Sequence, residues 1–197
     1  MREDYQPFDI GSQFTILPPD ISLAATDRIP LIMERGAFGS GEHETTRSCL
    51  EILETLPTTG NQRILDLGSG TGILTIAALL LNSGHAWCVD IEEAAILSGR
   101  RNCQLNHVDN DITHVCGTLD QLEEGGFNLI LANIYGDILL DVAEGLVAKT
   151  DSGALLLLSG ILWEYNFDVR QKYQKLGCKL LKNRLLDEFS TILLQKD

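Results

Sequence analysis

Positive charge, metal-ligating pairs and long apolar runs are all scarce in this chain of 197 residues. Lysine and arginine number 15 against 28 acidic residues, for a net charge of −13. Such a surface repels phosphate backbones and argues against tight nucleic-acid binding, while it attracts basic partners. The five cysteines (Cys49, Cys88, Cys103, Cys116 and Cys178) are scattered, without a C-x-x-C pair. The four histidines (His43, His85, His107 and His114) form no H-x-x-x-H pair. Neither a zinc site nor a disulfide framework is indicated, so no metal is expected. The longest apolar run, Ile73–Leu81, reaches only about half a membrane span. The N-terminus, MREDYQPFD, lacks the apolar centre of a signal peptide. A cytoplasmic setting away from membranes is expected.

What is present is an ordinary globular composition, 44% hydrophobic and 22% charged, on a chain long enough for one domain with a substantial core. Its organising stretch is Arg63–Gly72, RILDLGSGTG, in which an apolar run ends in glycines and passes into the helical pattern of Ile73–Leu81. Before it, residues 1–43 read as an N-terminal extension of short extended pieces and turns punctuated by prolines, with a short strand at Ile29–Met33. Arg47–Leu56 follows as an amphipathic helix, with Glu44 in or just before its first turn and Cys49, Leu50, Ile52, Leu53 and Leu56 at helical spacing.

After the glycine turn, strands are expected at Ala86–Ile91, Ile112–Cys116, Phe127–Ile134 and Ala154–Leu158. Helices are expected at Glu92–Asn106, Asp137–Thr150 and Leu162–Leu176. Cys178–Leu186 and Phe189–Gln195 are separated only by Asp187 and Glu188, which demands an antiparallel hairpin. The whole reads as an α/β, Rossmann-like doubly wound sheet of seven strands with a C-terminal antiparallel hairpin, and as a single domain over 1–197.

In such sheets ligands bind at the carboxyl ends of the strands. Asp66 with Gly68, Gly70 and Gly72 ends one strand, Asp90 a second and Asn133 a third. Asp90 lies 18 residues past Gly72, the usual place for an acid that accepts both hydroxyls of a ribose. A dinucleotide site requires G-x-G-x-x-G, whereas here the spacing is G-x-G-x-G and Ile73 stands at the last position. Asp66 is poor company for a pyrophosphate and better company for a cation. S-adenosylmethionine carries a sulfonium, an ammonium and no phosphate.

Asp66-Leu67-Gly68-Ser69-Gly70-Thr71-Gly72 resembles motif I of the class I S-adenosylmethionine-dependent methyltransferases. Phe38–Thr46, FGSGEHETT, resembles the F-G-T-G-x-H-x-T-T segment of the PrmA family, which methylates large-subunit ribosomal protein eleven. Leu131–Ile134 and Leu158–Leu162 are similar to that family's A-N-I-L and L-S-G-I-L segments. The resemblance runs from about Pro7 to the C-terminus. Tyr135 stands where the family has leucine, and with 197 residues the chain is expected to lack the family's separate N-terminal recognition domain.

The resemblance implies a protein-lysine N-methyltransferase using S-adenosyl-L-methionine on a lysine-bearing protein. The glycines with Asp66, Thr46, Asp90, Ile91 and Asn133 would bind the cofactor, and Asn133 would shape the transfer site. His43, with Glu42 and Glu44, is placed to order the loop or take a proton, as imidazoles do near neutrality. A small-molecule methyltransferase and a non-catalytic cofactor-binding module are the alternatives.

Overall fold

The alternation of apolar runs and amphipathic stretches resolves into one seven-stranded sheet with helices on both faces. A computed structural model describes residues 6–21, 27–34, 41–57 and 60–197. Its elements are β1 (Phe8–Ile10), β2 (Phe14–Leu17), β3 (Ile29–Ile32), α1 (Glu44–Leu53), β4 (Gln62–Leu67), α2 (Ile73–Leu81), β5 (Gly84–Asp90) and α3 (Glu93–Leu105), followed by β6 (Ile112–Cys116), β7 (Phe127–Asn133), α4 (Gly136–Ala148), β8 (Thr150–Leu162), α5 (Trp163–Lys175), β9 (Cys178–Leu185) and β10 (Phe189–Lys196).

The large sheet has the order β6-β5-β4-β7-β8-β10-β9. Strands β4 to β8 are parallel neighbours, and β10 pairs antiparallel with both β8 and β9. The strand order steps outward in both directions from β4, which leaves a crevice at the carboxyl ends of β4 and β7. Leu50, Ile52, Ile73, Ile76 and Cys103 pack on one face of the sheet. Leu139, Ala143, Leu146, Val169 and Tyr173 pack on the other. Strands β4 and β7 are buried on both sides, which is why they read as nearly continuous apolar runs.

Two stretches differ from expectation. The extension before α1 contains a three-stranded sheet, β1-β2-β3, in addition to turns. Ile10, Phe14, Ile16 and Leu31 of that sheet are fully buried in the same core as α1 and α2. Distant polar side chains hold its edges. Asn106 accepts from the Ile32 amide (2.9 Å) and donates to the Ile32 carbonyl (2.7 Å), and the Glu54 carboxylate accepts from the amides of Ser12 and Gln13.

Strand β8 is the second departure, running thirteen residues where only Ala154–Leu158 was expected. Ser159 and Gly160 interrupt the apolar run without ending the strand. The Ser159 hydroxyl is buried 2.7 Å from Thr191 Oγ1, and Ile161 and Leu162 still pair with β10. Among the described residues no helix is long and apolar enough to cross a membrane.

Candidate active site

The site is built where β4 runs out. The amides of Gly68 and Ser69 both donate to the Val89 carbonyl of β5, so the chain leaves the sheet without losing its edge (2.8 and 3.2 Å). Gly68 has φ +71°, and a Cβ there would stand 2.3 Å from Ile134 Cγ2, so no larger residue fits under the β7 exit. Gly70 has φ +52°, and nothing lies within 4 Å of where its Cβ would be; its backbone faces open space.

Asp90, at the end of β5, braces this turn. Its Oδ2 accepts from the Gly70 amide (2.8 Å) and its Oδ1 from the Glu92 amide (3.0 Å). Each carboxylate oxygen retains a second lone pair for a ligand hydroxyl. Ile91, beside it, is 70% exposed.

Asp66 lies beneath the turn and is almost wholly buried. Thr75 Oγ1 donates to its Oδ2 (2.7 Å) and also lies 3.2 Å from Cys88 Sγ. Burial drives the Asp66 carboxyl up from 3.8 to about 7; the Thr75 bonds oppose the shift and the nearby Asp90 charge adds to it. Burial also raises the Cys88 thiol well above its ordinary range. Thr75 is the one polar residue in the otherwise apolar α2 sequence, ILTIAALLL, and that was the available signal for a partner to Asp66.

Across the crevice, Asn133 ends β7. Its Nδ2 donates to Thr46 Oγ1 (3.4 Å), and its Oδ1 is buried without a hydrogen-bond partner among the described residues. Buried acceptors are rarely left so, because each costs about 1–3 kcal/mol. Thr46, Asp66, Gly68, Gly70, Ile73 and Asn133 thus line one crevice. A more open hollow lined by Gln62, Arg63 and residues 79–85 lies at the opposite ends of the same strands, away from these groups.

His43 stands at the lip as the N-cap of α1. Its Nδ1 accepts from the Thr45 amide (3.3 Å) and lies 2.7 Å from Thr45 Oγ1, while its ring meets Phe189 edge-on at 5.3 Å. The cap moves the helix start three residues ahead of Arg47, to Glu44, and the helix ends at Leu53. The Glu44 carboxylate accepts from the amides of Asp187 and Glu188, tying the β9–β10 turn to this end of the sheet (3.0 and 3.3 Å). Residues 38–40, which begin the FGSGEHETT segment, lie outside the described residues. No group of three or more metal-ligating side chains occurs among those described.

A family model described as ribosomal protein L11 methyltransferase (PrmA) matches residues 1–197. A curated ribosomal protein L11 methyltransferase from Trichlorobacter lovleyi is 40% identical over 179 residues, covering 87% of this chain and 58% of the relative. The chain spans 50% to 63% of the length of the curated relatives it matches. A crystal structure of ribosomal protein L11 methylase from Lactobacillus delbrueckii subsp. bulgaricus superposes with TM-score 0.87 at 23% identity, covering 98% of this chain and 99% of that one. An RNA methyltransferase from Salinibacter ruber, in complex with S-adenosyl-L-homocysteine, shares the fold at TM-score 0.57 and 13% identity over 76% of this chain and 89% of that one. The seven-stranded sheet is that of the class I methyltransferases. With the family model matched from end to end, the chain belongs to the ribosomal protein L11 methyltransferase (PrmA) family.

Proposed function

We propose that the chain is an S-adenosyl-L-methionine-dependent N-methyltransferase that acts in the cytoplasm on lysine side chains of a protein. The observation that carries this is the convergence, at the carboxyl ends of three adjacent strands, of an open glycine turn, two acids and a buried amide oxygen without a hydrogen-bond partner among the described residues. Family membership supports the reaction class, and the name of the relatives gives ribosomal protein L11 as their acceptor. The net charge of −13 favours a basic protein acceptor over a nucleic acid.

The residues fit the cofactor chemically. Gly70 leaves room for a ligand against the backbone. Asp90 would accept the ribose hydroxyls on its remaining lone pairs while still holding the Gly70 amide. Ile91, exposed beside it, offers an apolar surface to the adenine. Asp66 supplies a carboxylate to the cationic end, at a depth where its charge is little screened. When bound, S-adenosylmethionine supplies a methyl group activated by its sulfonium. Asn133 Oδ1 accepts a hydrogen from the incoming amine and orients its lone pair, with Thr46 steadying the amide. His43 is assigned to positioning: its Nδ1 is engaged in the α1 cap, which fixes Thr45 and Thr46 in place.

Asp90→Ala is expected to weaken S-adenosylmethionine binding by about 1–3 kcal/mol, because two acceptor sites and the brace on Gly70 go together. Calorimetric titration measures this, and an unchanged Kd removes the ribose assignment. The proposed reaction is tested by incubating lysate with methyl-labelled cofactor and identifying labelled species by mass spectrometry. A protein labelled on lysine supports it. Label only on small amines indicates the small-molecule enzyme, and binding without transfer indicates a non-catalytic module.

A further inference from the structure

Two helices begin beside the crevice, and both begin apolar on the outside. Tyr135, the N-cap of α4, follows Asn133 by two residues and is 65% exposed. Ile138, three residues further and so on the same side of the helix, is exposed as well. Helix α5 opens with Trp163, 55% exposed, and one turn later carries Phe167, 62% exposed.

The two helices meet near these ends. A Cβ on Gly136 would lie 2.7 Å from Tyr165 Cβ, and the Tyr173 hydroxyl donates to the Leu139 carbonyl (3.0 Å). Leu185, also exposed, sits on the same face of β9 as Asn183, which accepts from Asn166 of α5 (3.0 Å). Exposed apolar side chains therefore stand at the starts of the neighbouring helices α4 and α5 and on β9 beside them, at the crevice end of the sheet.

Scattered exposed apolar residues need no explanation, but several gathered on neighbouring helix starts beside a candidate site fit an interaction surface. The group is also ordered. Trp163 is held by its indole Nε1, which donates to the Phe189 carbonyl (3.0 Å), and by its amide, which donates to the Glu188 carbonyl (3.3 Å). An aromatic fixed in this way offers its face to a partner at little entropic cost.

Charge identifies the partner. Asp137 and Asp141 on α4, Glu164 and Asp168 on α5, and Asp187 and Glu188 at the hairpin turn are all exposed around the group. Arg170 lies 6.0 Å over the Phe167 ring and bonds Asn166. A second copy of this chain would bring the same carboxylates against themselves, and phosphate-bearing partners would be repelled. A segment carrying both lysines and apolar side chains satisfies both parts of the surface.

We infer that this rim docks an extended, lysine-bearing segment of the acceptor protein whose flanking apolar residues seat on Tyr135, Trp163 and Phe167. Lysine stems pack along the aromatics while their ammonium groups meet the carboxylates. The chain's own reactive end, Asn133, then lies one short step from the docked segment. This inference rests on the methyltransferase reading above.

The test uses dye-labelled peptides alternating lysine and leucine, lysine and serine, or glutamate and leucine, with binding followed by fluorescence anisotropy. The lysine–leucine peptide should bind about tenfold more tightly than either control and weaken with salt. Phe167→Ser, and separately Asp137→Lys with Glu164→Lys, should each lose most of that preference, while S-adenosylmethionine titrates as in the wild type. Equal peptide affinities across wild type and variants, with cofactor binding intact, would overturn the docking face alone. A dimer in sedimentation that Phe167→Ser dissolves would place a second copy on the rim and overturn it too. Wild type that binds no cofactor would remove the reading on which it rests.

Discussion

Asn133→Ala should lower turnover by about a hundredfold, the cost of losing the alignment of a reacting group, while leaving the protein at least as stable as the wild type. The asymmetry follows from the geometry. Asn133 Oδ1 is buried with no partner among the described residues, and its Nδ2 reaches Thr46 only at 3.4 Å. An acceptor kept from water without a hydrogen bond costs the folded state about 1–3 kcal/mol. Truncation removes that cost along with a few packing contacts. The strand itself stays in register through the backbone, since Asn133 pairs with Ser159 and Ser159 is secured by Thr191.

In the proposed reaction, alanine could not accept a hydrogen from the amine or aim its lone pair. The loss should therefore appear in kcat more than in cofactor affinity. Steady-state kinetics on the identified acceptor, beside a urea denaturation curve, checks both halves. A matching loss of turnover and stability would make Asn133 a structural residue.

Local pattern carried the centre of the fold further than its margins. RILDLGSGTG followed by ILTIAALLL defines strand, turn and helix from adjacent residues, and β4, the turn and α2 appear accordingly. The hairpin was equally local, because only three residues, Leu186, Asp187 and Glu188, separate its arms. Strand β8 extends beyond the expected Ala154–Leu158 at both ends, back to Thr150 and forward through Ser159 and Gly160. What keeps them in the sheet is Thr191, thirty-two residues away. The strands before α1 are three or four residues long and depend on Glu54, Asn102 and Asn106, which no window of sequence brings near them.

The start of α1 was expected only to within a turn, between Glu44 and Arg47, for a chemical reason. Its cap is a histidine, outside the usual set of serine, threonine, aspartate and asparagine. In the site, motif residues could be named but not their mutual bonds. That Asp90 braces Gly70, that Thr75 serves Asp66, and that Asn133 Oδ1 finds no partner among the described residues are facts of tertiary placement. The exposed apolar group from Tyr135 to Phe167 escaped notice because helix starts and exposure are both needed to see it.

Asp66→Asn should produce a large change of opposite sign in stability and in binding, and the stability change should depend on pH. Burial raises the Asp66 carboxyl from 3.8 to about 7. Between those values the folded protein holds a proton that the unfolded chain has released. Raising the pH therefore favours unfolding through this group, and the loss is complete once the pH passes the folded value. The difference corresponds to at most about 4 kcal/mol above neutrality, since one unit is worth about 1.4 kcal/mol.

Asparagine keeps an acceptor oxygen for Thr75 Oγ1 and never ionises. The variant should gain on the wild type as the pH rises from about 4 to about 8, and the two should converge in acid, where aspartate is neutral in both states. Urea midpoints across that range provide the measurement, and parallel curves for the two proteins would refute it.

Binding should move the other way. On the proposed reading, a buried carboxylate that burdens the free protein would become the counter-charge of a cationic ligand. Asp66→Asn should thus weaken S-adenosylmethionine, which carries the sulfonium, more than S-adenosylhomocysteine, which does not. Because the ligand's charge pulls the Asp66 carboxyl back down, wild type near neutrality should release a proton on binding. Calorimetry in buffers of different ionisation heat would register that release, and it should vanish in the variant. On this reading, the stability that Asp66 withholds from the free protein would be the attraction it supplies to the bound cofactor.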